Sequence, residues 1–131
     1  MEKRFDPIKN KSSEIIEWVM QSPELPQDEG LQFKIRLCVE EIVENVVNYA
    51  YEDGCGYMLV TVNNKDGKLE FSFQDDGVPF NPLEKEDPDI TASAEERPVG
   101  GLGIYICKQM MDEMSYSYTN GCNQLTMKMG V

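Results

Sequence analysis

From about Asp28 to Tyr51 the apolar residues recur at helical spacing, and this run constrains the fold more than any other stretch. Turning each residue by about 100° gathers Ile35, Val39, Ile42, Val43, Val46, Val47, Tyr49 and Ala50 on one broad side. Glu41, Glu44, Asn45 and Asn48 fall opposite, and Leu37 intrudes on that polar arc one turn earlier. A helix with so broad an apolar face must lie across a second layer of structure. Its polar arc is either a solvated face or, as Leu37 suggests, the wall of a pocket.

The remaining segments supply that second layer. Tyr57 to Asn63 and Lys68 to Gln74 read as strands joined at Asn64-Lys65-Asp66-Gly67, with the Asp-Gly signal of a hairpin. Leu69, Phe71 and Phe73 alternate inward against Glu70, Ser72 and Gln74. Met114 to Thr119 and Asn123 to Met129 form a second pair around Asn120-Gly121. A short extended start spans Arg4 to Ile8, and a first helix capped at Ser12-Ser13-Glu14 runs to about Met20. The order helix, helix, strand pair, helix, strand pair predicts an α/β fold: a two-layer sandwich on a largely antiparallel, mixed sheet with helices on one face. With 131 residues the chain suits one core and a single domain, residues 1–131.

Composition narrows the chemistry. The net charge of −12 argues against binding nucleic acid or an anionic membrane. The chain has no histidine, which removes Ser-His-Asp and Cys-His catalysis, histidine-ligated zinc and a phosphohistidine relay within it. Acid–base work then falls to carboxylates. Cys38, Cys55, Cys107 and Cys122 match no zinc spacing and read as reduced thiols. The start has no apolar run behind its charges, so no secretory signal is expected and the location expected is cytoplasmic.

Two further boxes carry polar or glycine-rich chemistry. Asp75-Asp76-Gly77 ends a strand, before Pro79 and Pro82 turn the chain away. Gly100-Gly101-Leu102-Gly103 opens directly into the run Ile104, Cys107, Met111, Met114, read as a helix to about Glu113. Bare backbone at a helix N-terminus offers unpaired N–H groups and a positive dipole end to phosphate, although the same glycines also suit a tight turn. Between the boxes, residues 83–99 form an acidic stretch with Pro88 and Pro98, read as a surface loop with one helical turn near Ala92 to Glu96.

Taken in order, Glu41-x-x-x-Asn45, Asp75-x-Gly77 and Gly101-x-Gly103 resemble the Bergerat ATP-binding module of gyrase, heat-shock chaperones, histidine kinases and mismatch-repair ATPases. The chain is most similar to the small anti-sigma-factor serine/threonine kinases, through Val39 to Tyr51, Asp75 to Pro82, and Gly100 to Ile106 with Met111-Asp112-Glu113. That resemblance implies that Asp75 accepts a hydrogen bond from the adenine amine, Gly77 lets backbone approach the base, and Asn45 holds Mg²⁺. It implies that Gly100, Gly101, Leu102 and Gly103 bind the phosphates of ATP and that Glu41 takes the proton of the attacking hydroxyl. Spacing alone leaves Glu44 and Asn48 as an equal alternative to Glu41 and Asn45; the Val-Val-Asn-Tyr-Ala-Tyr that follows favours the latter.

An arginine is common beside the second glycine box of this family, and here Arg97 stands three residues before Gly100 with Pro98 between. Glu44 stands where small polar residues are common, so the site is expected to be more acidic than usual, and Asp76 reads as a solvated loop residue. The resemblance implies residues 83–99 as an ATP lid, an anti-anti-sigma antagonist as phosphoryl acceptor, a sigma factor as sequestered partner, and a homodimer. Two other readings share the site: an ATP-gated partner-switching module without transfer activity, and a detached sensor-kinase catalytic domain.

Overall fold

The computed structural model describes residues 1–53, 55–84 and 102–131. Five strands, β1 (Glu2–Phe5), β2 (Met58–Lys65), β3 (Lys68–Asp75), β4 (Glu113–Thr119) and β5 (Cys122–Gly130), form one sheet in the order β1-β2-β3-β5-β4. Every pairing is antiparallel, so the sheet is not mixed. Among the described residues three α-helices, α1 (Ser12–Met20), α2 (Glu29–Tyr49) and α3 (Leu102–Met110), complete the expected two-layer sandwich. Among the described residues no helix is long and apolar enough to cross a membrane.

The helix-covered face is built by the alternation seen in the sequence. Val60 and Val62, Leu69, Phe71 and Phe73, and Leu125, Met127 and Met129 are buried in one core with Ile35, Cys38, Val39, Ile42 and Val43 of α2. Val46 and Val47 are half-buried and Tyr49 is 66% exposed, because the last turn of α2 runs beyond the core. Cys107 of α3 is buried against Cys38 of α2, and all four cysteines are free.

Local chemistry sets the element ends. Asp28 caps α2, its carboxylate accepting from Leu31 N at 2.9 Å. Helix α1 starts from Lys11 without a side-chain cap, so Ser12 and Ser13 are helical residues and not the cap the sequence suggested. The first hairpin narrows to Asp66 and Gly67, both at positive φ, and the second turns at Asn120 and Gly121 in the same way. Helix α3 ends at Met110, earlier than its apolar period suggested. Asp112 already belongs to the sheet edge, its N–H donating to Lys128 O at 2.9 Å and its carboxylate accepting from Gly130 N at 2.6 Å.

Candidate functional site

The second half of α2 lies over the ends of β3 and β5 and leaves a narrow cleft between them. Ile42, Val46, Phe73 and Leu125 form its apolar walls, and Asn45, Asp75 and Asn123 supply its polar groups. Tyr49, Val78 and Phe80 stand at its rim as exposed apolar side chains. A small apolar cleft with a few convergent polar groups is the usual form of a ligand site.

Asp75 is 3% exposed, although it is a carboxylate at a strand end. Its Oδ1 accepts from Gly77 N and from Asn123 Nδ2, each at 2.9 Å. Among the described residues Oδ2 has no hydrogen-bond donor, so Asp75 brings an unpaired buried acceptor to the cleft it lines. Burial pushes the Asp75 carboxyl above its ordinary value, and the bonds from Asn123 and Gly77 draw it partly back. Unpaired buried acceptors are costly, and a ligand donor would remove the cost.

Gly77 is small because the chain there meets the end of α2. A Cβ on Gly77 would lie 2.0 Å from Ala50 O, and Val78 N donates to the same carbonyl at 2.8 Å. Asp76 is exposed but tethered, with its Oδ1 2.7 Å from the Tyr51 hydroxyl and its N–H donating to that oxygen at 3.0 Å. Asp76 is thus the solvated loop residue expected, and it also makes a second tie between the segment after α2 and the loop after β3.

Asn45 extends the site along α2. Its Nδ2 donates to Glu41 Oε1 at 3.3 Å, which leaves the amide oxygen for another partner. Glu41 lines a second, more open groove with Leu37, Glu40, Glu44, Gly103 and Ile106, so Leu37 does stand in a pocket wall. The first turn of α3 rests on this carboxylate, since a Cβ on Gly103 would lie 2.2 Å from it. Glu44 and Asn48 are exposed and only 3.5 Å apart at closest, and Asn48 does not line the cleft.

Five of the residues singled out from sequence, Glu41, Asn45, Asp75, Gly77 and Gly103, thus meet around the second half of α2. Leu102 is the first residue of α3. Gly100, Gly101, Arg97 and the helical turn expected at Ala92 to Glu96 lie outside the described residues, as does most of the 83–99 segment; Leu83 and Glu84 belong to a short 3-10 turn, Pro82–Glu84. Sequence reasoning missed Asn123, which pairs with Asp75 across β3 and β5. The available signal was a polar residue in phase with the inward-facing Leu125, Met127 and Met129.

Residues 11–129 match the histidine kinase-like ATPase domain family. The chain belongs to that family. Two named relatives of the family's kinases are similar in sequence. The serine/threonine-protein kinase BtrW of Bordetella bronchiseptica is 26% identical over 98 residues, which are 74% of this chain and 69% of that protein. The serine-protein kinase RsbW of Bacillus thuringiensis is 29% identical over 98 residues, 72% of this chain but 61% of that protein. The chain thus matches less than two thirds of the RsbW length. In fold, the nucleotide-free catalytic domain of the histidine kinase ThkA aligns with a TM-score of 0.59 at 15% identity, covering 99% of this chain and 97% of that one.

A family of ATPase domains makes ATP the ligand to test against the cleft, and the chain's groups fit it. Asp75 Oδ2 is an unpaired buried acceptor for an amine, and the apolar walls suit a purine ring. Among the described residues no three His, Cys, Asp or Glu side chains converge on a point that could hold a metal. A hard divalent ion here would rest on the Asn45 oxygen, with phosphate and water completing its shell, which suits Mg²⁺.

Proposed function

We propose that this chain is an ATP-dependent serine/threonine protein kinase of the anti-sigma-factor type, which phosphorylates a serine of an anti-anti-sigma antagonist and sequesters a sigma factor. One observation carries the reading: the buried Asp75 carboxylate, with one oxygen unpaired among the described residues, lines an apolar cleft whose wall, α2, continues through Asn45 to Glu41. The names of the BtrW and RsbW relatives supply the acceptor type, serine or threonine. Antagonist, sigma factor, homodimer and cytoplasmic location enter through the same likeness.

In this reading Asp75 selects adenine by accepting from its exocyclic amine, where guanine would present an oxygen. Ile42, Val46, Phe73 and Leu125 exclude water from the base. Gly100, Gly101, Leu102 and Gly103 present backbone N–H groups to phosphate. The Asn45 oxygen would hold the Mg²⁺ that accompanies the nucleotide, and the ion when bound would supply neutralisation of charge on the phosphates. Glu41 accepts the proton of the serine hydroxyl while the new oxygen–phosphorus bond forms and the bond to the departing ADP breaks.

Incubating the protein with ATP, Mg²⁺ and an antagonist of the anti-anti-sigma class, then measuring phosphoserine by mass spectrometry, tests the proposal. Phosphoserine on the antagonist is expected. Nucleotide-dependent binding of the antagonist without phosphoprotein would replace the kinase reading by that of a partner switch.

A further inference from the structure

Asn123 makes more side-chain hydrogen bonds around the cleft than any other described residue there, and every one of them stays within the protein. Its Nδ2 donates to Asp75 Oδ1 at 2.9 Å and to Val78 O at 2.9 Å, with Gly77 O at 3.5 Å. Its Oδ1 accepts from Phe80 N at 3.1 Å and from the Tyr116 hydroxyl. An amide has two donor hydrogens and two acceptor lone pairs, so all four positions are taken. The amide orientation is fixed as well, because turning it over would set oxygen against a carboxylate and two carbonyls. At 6% exposure the group is almost as buried as Asp75 itself.

Three consequences follow. Asn123 has no free position for a ligand, so it does not read the base directly. Together with Gly77 N it holds Asp75 by one oxygen, and so restricts the direction the other oxygen can take. It also ties the loop through Val78 and Phe80, whose side chains form the cleft rim, to the same point. Without this partner Oδ1 keeps only the bond from Gly77 N, so the carboxylate's terminal bond is held at one point in place of two. Selection between an amine and no amine on the base then loses part of its geometry.

We infer that Asn123 is the positioning residue for nucleobase selection: through its bonds to Asp75, the 77–80 loop and Tyr116 it makes Asp75 Oδ2 a single, aimed acceptor for the 6-amino group of the purine. The inference rests on the proposed adenine role of Asp75 and adds to it a residue from another strand. A hydrogen bond to a charged group is worth about 1.5–3 kcal/mol, a factor of roughly 10 to 150 in affinity. That factor is what Asn123 controls.

The test compares two nucleotides in the presence of Mg²⁺, ATP and purine riboside triphosphate, which has the same ring without the amine. Binding of each to the full chain is measured by calorimetry, and the ratio of affinities isolates the amine contact. The unsubstituted protein is expected to prefer ATP by at least about tenfold. In Asn123→Ala, where Gly77 N alone still holds Oδ1, the ratio is expected to fall at least about threefold, while affinity for purine riboside triphosphate changes less than that for ATP. Tyr116→Phe removes one of the four bonds and is expected to lower the ratio in the same direction by less; it decides the matter if Asn123→Ala does not fold. An unchanged ratio in the folded variants overturns the inference. Equal loss of both nucleotides also overturns it, since the role would then be structural support alone. Absence of any preference in the unsubstituted protein is a different failure, that of the adenine assignment to Asp75.

Discussion

The two halves of the site are built in opposite ways. The cleft between α2 and the sheet is apolar, and its polar groups are locked: Asp75 and Asn123 are buried and joined at 2.9 Å. The groove beyond Asn45 is open and acidic, lined by Glu40, Glu41 and Glu44, and its contacts are long, 3.3 Å from Asn45 to Glu41 and 3.5 Å from Asn48 to Glu44. Among the described residues only Glu40 is firmly held there, by Arg36 at 3.0 Å. Under the proposed function, a preformed base pocket beside a loosely held reacting end makes binding and chemistry separable in this chain, and the reacting end is expected to tighten when phosphate and its counter-ion arrive.

Substitutions that break one half and spare the other test that division. Glu41→Gln should lower phosphoryl transfer by about 10²-fold or more and leave ATP binding intact; single-turnover rates beside a calorimetric titration measure both. If Glu44→Gln behaves this way and Glu41→Gln does not, the register of the reacting end is one turn off.

Asp75→Asn strikes the other half and should cost ATP about 2 kcal/mol or more in binding. The new amide keeps the bonds from Gly77 and Asn123 on its oxygen and turns a donor toward the cleft, so inosine triphosphate should bind it at least as well as ATP. The apo-protein should gain from the same change. Burial raises the folded pKa of Asp75 above its unfolded value, so its ionisation opposes folding increasingly as pH rises through the folded pKa. Thermal melts of the two apo-proteins at neutral pH should therefore show no loss for Asp75→Asn, and a large loss would contradict the burial argument.

Gly77→Ala drives a Cβ into backbone, the Ala50 carbonyl, and should destabilise the fold by about 1–3 kcal/mol, seen as a lowered Tm. Gly103→Ala meets only the movable end of Glu41, so the fold should hold while transfer falls about tenfold through a displaced proton acceptor. Equal effects of the two substitutions on Tm would erase the contrast between a fixed and an adjustable half.

Most of the architecture was legible because it rests on period. The alternation of Leu69, Phe71 and Phe73 and the helical stripe of α2 are local patterns that burial alone enforces. The end of α3 was misread because Met111 continues the apolar period while Asp112 is already bonded to the sheet, a contact between residues far apart in sequence. Asn123 escaped for the same reason: its place beside Asp75 follows from the β3–β5 register, which no spacing within one segment encodes. Glu41 and Asn45 share a helix face and were visible together. That Glu41, not Glu44, lies against α3 depends on how two helices pack.

The contact of Gly103 with Glu41 has a reading in the history of the family. One of the two positions can carry a side chain into that space, and the other must then stay bare. Among descendants of a common ancestor, loss of the acid at position 41 would lift the constraint on position 103 and let substitutions accumulate there. A carboxylate at position 41 and a bare backbone at position 103 are therefore expected to be kept or lost together.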